Sequence, residues 1–400
     1  MRLPAPQSDS GSSPTVSFYS AVGETAFINA TLRAWTAAGF PARWVRGLTA
    51  AEYRDKSSGL SGWAKRWRMY PGYLWRAWRH VVKRRGHADI HVVTSNPFLL
   101  PALVRRFCGS SGRTVFLLYD LYPDVLVLAG KIRPGGIVER MLAGLTRYAI
   151  RNCDAMVYLG EKLRRHAEAR YGPSRRSWVI PVGAEVAPFS EQSPPKSGAV
   201  DVMYLGAMGR VHDLETLLGC WRRGTIPGIR WRFHSFGAGY ELLKRKAAQL
   251  PGSGGVQFGG PLADAEWMEA MLDAPVALVT LALGAENVAM PSRTYSALAF
   301  GQAILAVCAL DSDLSDLVHK HDCGWVVRPG DEDTFLAVCK ELVEKPERLQ
   351  TMRSNALHAA RTHYDMDVLA GNWHGLFDAL SAAPTGAKPP LGPRIGFNAA

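Results

Sequence analysis

Short runs of consecutive apolar residues recur along the chain, each closed by glycine, proline or a polar cluster. They fall at 16–19, 41–45, 89–94, 114–119, 155–159 and 177–181, and again at 200–205, 231–236, 255–258, 276–281, 303–307 and 324–327. Runs with no polar face are those of strands covered on both sides, as in parallel sheets. Stretches with helical spacing lie between or after them, at 25–38, 99–106, 162–170, 331–344, 346–363 and 367–380. This alternation predicts an α/β chain with two Rossmann-like parallel-sheet domains facing a central cleft. The first domain is expected over 1–182 and a Ser/Pro/Gly-bearing linker over 183–199. A second domain over 200–365 follows, then a helix over 366–381 free to cross back, and a Pro/Gly/Ala-rich disordered tail over 382–400.

Length and composition agree with that division. Four hundred residues exceed what one core organises, and 47% hydrophobic with 20% charged residues exclude a disordered or fibrous chain. No uninterrupted apolar stretch reaches the roughly 18 residues of a spanning helix. The polar N-terminus shows no secretory signal, and the six cysteines are scattered, without metal spacing. A cytoplasmic protein is expected.

Charge changes the picture in the first half only. Residues 1–190 carry a net +16 and residues 191–400 a net −4, so an anionic partner or surface is expected on the first domain. The excess concentrates in residues 63–85, where eight Lys/Arg are interleaved with Trp63, Trp67, Tyr70, Tyr73, Trp75 and Trp78. A solvated helix, a nucleic-acid-binding stripe and an interfacial helix on anionic lipid are the three readings. The interfacial helix fits six aromatics best, with Trp63, Trp67, Trp75 and Trp78 as its anchors. No nucleic-acid module accompanies the segment, so no nucleic acid is expected.

Ligands of open parallel sheets sit beyond the carboxyl ends of the strands, and there the candidate chemistry gathers. After 200–205 come Gly206, Gly209, Arg210 and His212, either a ligand loop or a simple tight turn. Gly237 and Gly239 follow the next strand. In the first domain, Gly23, Glu24 and Asn96 form polar loop tips, and Asp120 and Asp124 stand after 114–119. Asp120 reads equally as a general base or hydroxyl clamp and as a helix cap. The segment Pro291-Ser292-Arg293 opens a helix, with Tyr295 and Ser296 one turn in. A cation there opposes the helix dipole unless an anion neutralises both, which marks either a phosphate site or an ordinary surface helix. No metal-binding, serine-hydrolase or kinase pattern is present, so neither a metal nor a cofactor is expected.

In order and spacing, these pieces resemble the retaining glycosyltransferases of GT-B fold, family 4, in the subgroup that builds surface polysaccharides. The stretches carrying the likeness are 204–218, Phe236-Gly-Ala-Gly239, 291–301, 324–331, Thr94-Ser-Asn-Pro97, Asp120-Leu-Tyr-Pro123 and Val179-Ile-Pro-Val-Gly183. The resemblance implies a nucleotide-sugar donor, UDP foremost, on the second domain. It implies a polyprenyl-diphosphate-linked or glycan acceptor on the first. The diphosphate would meet 206–212 and Pro291-Ser292-Arg293, with Arg293 in place of the family's usual lysine. Asp120 would be acceptor-side or sugar-contacting, without a covalent intermediate. Two positions depart from the pattern: Ser296 and Val288 stand where Glu-x7-Glu is common, and Ala207 where arginine often follows the glycine. A catalytically weak sugar-nucleotide binder or scaffold of the same fold is the alternative, and a nucleic-acid-binding protein a third.

Overall fold

The computed structural model describes residues 14–21, 26–46, 60–186 and 198–382. Strands β1 (Val16–Ser20), β2 (Ala42–Arg46), β3 (Ile90–Thr94), β4 (Arg113–Leu118), β5 (Ala155–Tyr158) and β6 (Ser177–Val179) form one sheet in the order β2-β1-β3-β4-β5-β6. Strands β7 (Val200–Ala207), β8 (Ile229–Phe236), β9 (Val256–Gly259), β10 (Val276–Thr280), β11 (Ala303–Val307) and β12 (Gly324–Val327) form the other, in the order β12-β11-β10-β7-β8-β9. Every strand pair is parallel. The architecture is the expected one of two doubly wound α/β layers. Its apolar runs are buried throughout β1, β3, β5, β10 and β11, as strands covered on both faces require.

The second sheet has the dinucleotide-type order, which reverses direction between β7 and β10. That switch point leaves a crevice where the loops after neighbouring strands diverge. In the first sheet the reversal falls between β1 and β3, and the Ala21 amide there donates to the Asn96 carbonyl at 3.1 Å.

Direct contacts join the two sheets. Asp120, just past β4, forms an antiparallel bridge with Ala289, and the Leu121 amide donates to the Val288 carbonyl at 2.9 Å. On the same side, Asp313 of the second domain accepts the Lys162 and Leu163 amides at 3.0 and 3.1 Å, capping helix Glu161–Tyr171 of the first. Lys162 also pairs with Asp311 and Asp316. The helix Met366–Ser381 returns to the first sheet, where Trp373 and Phe377 pack on Trp35 at ring distances of 4.9 and 5.4 Å. Arg176 and Arg113 bond the carbonyls of its last turn, on Ala379 and Leu380, at 2.8 and 3.4 Å. Cations placed there complement the negative end of the helix dipole.

Several local expectations shift. Helices Asp124–Leu128 and Ile137–Asn152 occupy the stretch between β4 and β5, for which no helix bounds were predicted. The helix expected over 346–363 runs from Pro346 to Ala359 and closes in a π-helical turn, Ala360–Tyr364. Within the linker, Ala184 bridges to Asp365. Gly23, Glu24, most of the linker and the tail from 383 onward lie outside the described residues.

Candidate active site

The loop after β7 is built from backbone packing. Gly206 takes φ +99°, a conformation that favours glycine, and the Met208 amide donates to Phe236 at 2.9 Å. The Gly239 and Tyr240 amides then both donate to the Met208 carbonyl, at 3.0 and 3.3 Å. At Gly237, φ is +111° and a Cβ would lie 2.7 Å from the Met208 carbonyl oxygen. Gly237 and Gly239, expected at the donor, press the loop after β8 against the loop after β7. Gly209 and Arg210 lie further along the loop; Arg210 is exposed and makes no ion pair among the described residues.

Arg293 crosses the crevice. Its Nη2 donates to the Ala207 carbonyl at 2.5 Å, and its guanidinium lies over the Tyr204 ring, 4.1 Å from the centroid. Its Nη1 is buried and has no hydrogen-bond partner among the described residues. A buried, unpaired charged donor costs several kcal/mol unless something pairs with it.

The helix start itself is less than the sequence implied. The helix runs from Arg293 to Ala299, only seven residues, and Ser292 at its cap makes no capping bond. The Thr294 and Tyr295 amides turn back onto the Pro291 and Ser292 carbonyls, both at 3.1 Å. A helix this short has a weak macrodipole and few free amides. The anion-binding character expected of the whole helix end therefore rests on the Arg293 side chain. Tyr295, expected at the donor, is 2% exposed and packs on Tyr364 at 5.2 Å, deep in the core.

His212 is also corrected. Its Nδ1 lies 2.7 Å from the Thr280 carbonyl, an acceptor only, so Nδ1 carries the proton and Nε2 keeps a lone pair. Burial, then the Arg293 charge, push its pKa from 6.5 down to about 3. The ring contributes a neutral acceptor, not a positive charge. The unfolded chain takes up this proton near 6.5 and the folded chain only near 3. His212 therefore supports the fold fully above that upper value, and the support fades as pH falls towards the lower one. We expect its ring proton shifts to stay flat in NMR between about pH 5 and 8; a midpoint near 6.5 would disprove the neutral assignment.

Behind Arg293 a cavity of about 440 Å³ opens at the switch point. Met203 and Leu205 of β7, Ala277 and Leu278 of β10, and Trp267 and Met271 of helix Asp264–Asp273 form its apolar walls. Gly206, Ala207, Ser292, Arg293 and Ser296 line it as well. Its size is that of a small-molecule site. Trp267 and Met271, like Tyr204, were not among the predicted site residues. Each belongs to an apolar pattern that reads as ordinary core.

Across the junction, Asp120 is held by Ser95 Oγ, which accepts its amide at 3.0 Å, and by the bridge to Ala289. That bridge lies four positions before Arg293 in the chain. Asn96 accepts a hydrogen bond from Tyr70 at 3.3 Å. The Asp124 carboxylate is taken up elsewhere, by Arg170 at 3.0 Å, His166 at 3.5 Å and the Tyr171 hydroxyl. Burial alone would raise its pKa, but these hydrogen bonds and the Arg170 charge hold it below the ordinary carboxylate value. Among the described residues no cluster of His, Cys, Asp and Glu could hold a metal ion.

Two doubly wound parallel sheets, with a crevice at the switch point of the second, constitute the GT-B fold. No protein-family model matches the chain. The probable glycosyltransferase WbjE of Pseudomonas aeruginosa is 28% identical to it over 278 residues, 66% of this chain and 68% of that protein. HepE of Anabaena, solved in complex with UDP-glucose, superposes with a TM-score of 0.63 at 13% identity, covering 91% of this chain and 99% of HepE. A trehalose-6-phosphate protein of E. coli bound with UDP-2-fluoro glucose gives a TM-score of 0.65 at 12% identity, over 93% of this chain and all of that one.

Proposed function

We propose that this chain is a retaining glycosyltransferase of family 4 type. It transfers a sugar from a UDP-sugar to a polyprenyl-diphosphate-linked or glycan acceptor in surface polysaccharide assembly. The observation that carries this is the buried, unpartnered Nη1 of Arg293 at the mouth of the switch-point cavity. A diphosphate there satisfies it with a charge-assisted hydrogen bond, and exposed Arg210 adds a second cation. As the sugar leaves, negative charge grows on the nucleotide's terminal phosphate, where a fixed guanidinium stabilises it. Asp120, just past β4 of the first domain, is the acceptor-side residue of this reading. The UDP bound in the Anabaena relative and the glycosyltransferase name of the Pseudomonas one support the same reading. Because side-chain cations meet the diphosphate, turnover is expected to survive EDTA. Purified protein incubated with UDP-sugars and EDTA should release UDP, by hydrolysis or transfer; binding without release would leave the scaffold reading.

A membrane surface is the proposed partner of the first domain. Helix Leu60–Lys83 buries Tyr73, Ala77 and Val81 against its sheet and turns Trp75, Trp78 and Val82 outward, with Arg79 stacked on Trp75 at 4.7 Å. Trp63 and Trp67 lie in its first half, where side chains fall outside the described residues. On helix Ile137–Asn152, Ile137 is 85% exposed, and Val138 and Met141 are exposed beside Arg140 and Arg147. Helix Leu100–Phe107 packs against both. Apolar side chains set among arginines suit an anionic lipid surface. Among the described residues no helix is long and apolar enough to cross a membrane. Co-sedimentation with anionic liposomes should weaken at high salt; equal binding to neutral liposomes at every salt concentration would refute a charge-led surface.

A further inference from the structure

The lining of the switch-point cavity bears on which nucleosides it admits. A ribose presents two neighbouring hydroxyls, and Rossmann-type sites commonly recognise them with a carboxylate, the one side chain able to accept both as an ion. Among the described residues lining this cavity there is no carboxylate. Four acidic groups on the surrounding elements are turned to other tasks. Glu266 accepts the Ala263 amide of its own helix start at 3.1 Å. Glu286 accepts the Gly284 amide at 2.7 Å, and Asp213 the Thr216 amide at 3.2 Å. Asp201 pairs with Arg230 at 2.6 Å.

The backbone acceptors at the mouth are engaged as well. The Gly206 carbonyl receives the Ser235 hydroxyl at 2.7 Å, and the Ala207 carbonyl receives Arg293. What the crevice offers a ribose is neutral. It has the hydroxyls of Ser292 and Ser296, four residues apart and so on one face of the chain as it enters the helix. It also has the amide of Gln302, whose Nε2 is already spent on the Met271 and Ala274 carbonyls. Neutral hydroxyls hold a diol less strongly than a carboxylate does. The remaining walls, Met203, Leu205, Trp267 and Met271, select by shape and apolar contact.

From this lining we infer that the donor site, on the reading proposed above, does not discriminate ribose from 2′-deoxyribose. Its substrate class includes deoxynucleoside diphosphate sugars such as those of thymidine, alongside those of uridine. The added methyl of thymine meets an apolar wall, and one buried methyl is worth about fourfold in affinity.

The test is calorimetric titration of the full chain with UDP, 2′-deoxy-UDP and thymidine diphosphate. The expected result is that 2′-deoxy-UDP binds within about tenfold of UDP, the scale of one neutral hydrogen bond, and that thymidine diphosphate binds at least as well as 2′-deoxy-UDP. A preference for UDP over 2′-deoxy-UDP greater than that overturns the inference while leaving the donor site standing. Failure of all three to bind removes the donor site itself, and this inference with it. In Ser296→Glu, a carboxylate enters the rim, and the preference for UDP over 2′-deoxy-UDP should rise beyond tenfold. The unmodified protein's ratio decides the question even if that variant does not fold.

Discussion

Arg293→Ala is expected to weaken UDP binding by about 30- to 100-fold, the range set by losing a charge-assisted hydrogen bond in a partly buried site. The wild-type guanidinium is already oriented. One nitrogen is fixed on the Ala207 carbonyl, the plane rests on Tyr204, and the other nitrogen has no protein partner among the described residues. With two of its contacts already made, the guanidinium has little further freedom to lose when a phosphate binds. Arg293→Lys should recover only part of the affinity. An ammonium keeps the charge but cannot stack on Tyr204, bond Ala207 and reach the phosphate at once. Calorimetry with UDP decides this, with thermal unfolding as a check that the junction survives. Unchanged affinity in the alanine variant would count directly against the phosphate role.

Asp120→Asn should act differently, lowering turnover about 10²- to 10⁴-fold, the span associated with a positioned acid–base group, while UDP affinity stays near wild type. The backbone of Asp120 is fixed from both domains, by Ser95 and by Ala289, and asparagine preserves those bonds. A fall in donor affinity as large as the fall in turnover would move Asp120 from the acceptor side to the donor side. Unchanged turnover would remove it from the reaction.

The sheets were legible because buried parallel strands leave continuous apolar runs, and glycine and proline mark their ends. Helix Ile137–Asn152 was not, for a physical reason. Its inward positions, Leu142, Thr146, Ala149 and Ile150, are spaced as a helix requires, but Ile137, Val138 and Met141 on the outside are apolar too and erase the contrast. The phosphate end of the site was half legible. Pro291-Ser292-Arg293 drew attention to a cation that lines the cavity, yet the sequence could not reveal that the helix behind it lasts two turns. The surroundings of Tyr295 and His212 were illegible on the same ground. A tyrosine one turn into a helix can face ligand or core, and a histidine's charge depends on which carbonyl its ring meets. The cavity walls were invisible because Trp267 and Met271 are core-type residues whose free side appears only once helix and sheet are assembled.

The returning helix has a bearing on how the molecule is made. Trp35 and Phe40, among the earliest residues of the first domain, find aromatic partners in Trp373 and Phe377, near the end of the described chain. A ribosome working from the N-terminus delivers the whole first sheet long before those partners leave the exit tunnel. Until then the nascent domain carries an uncovered aromatic groove beside β1 and β2. The last helix is thus the closing piece of the first domain, and a chain released before Met366 lacks the cover for a core whose other residues are already in place.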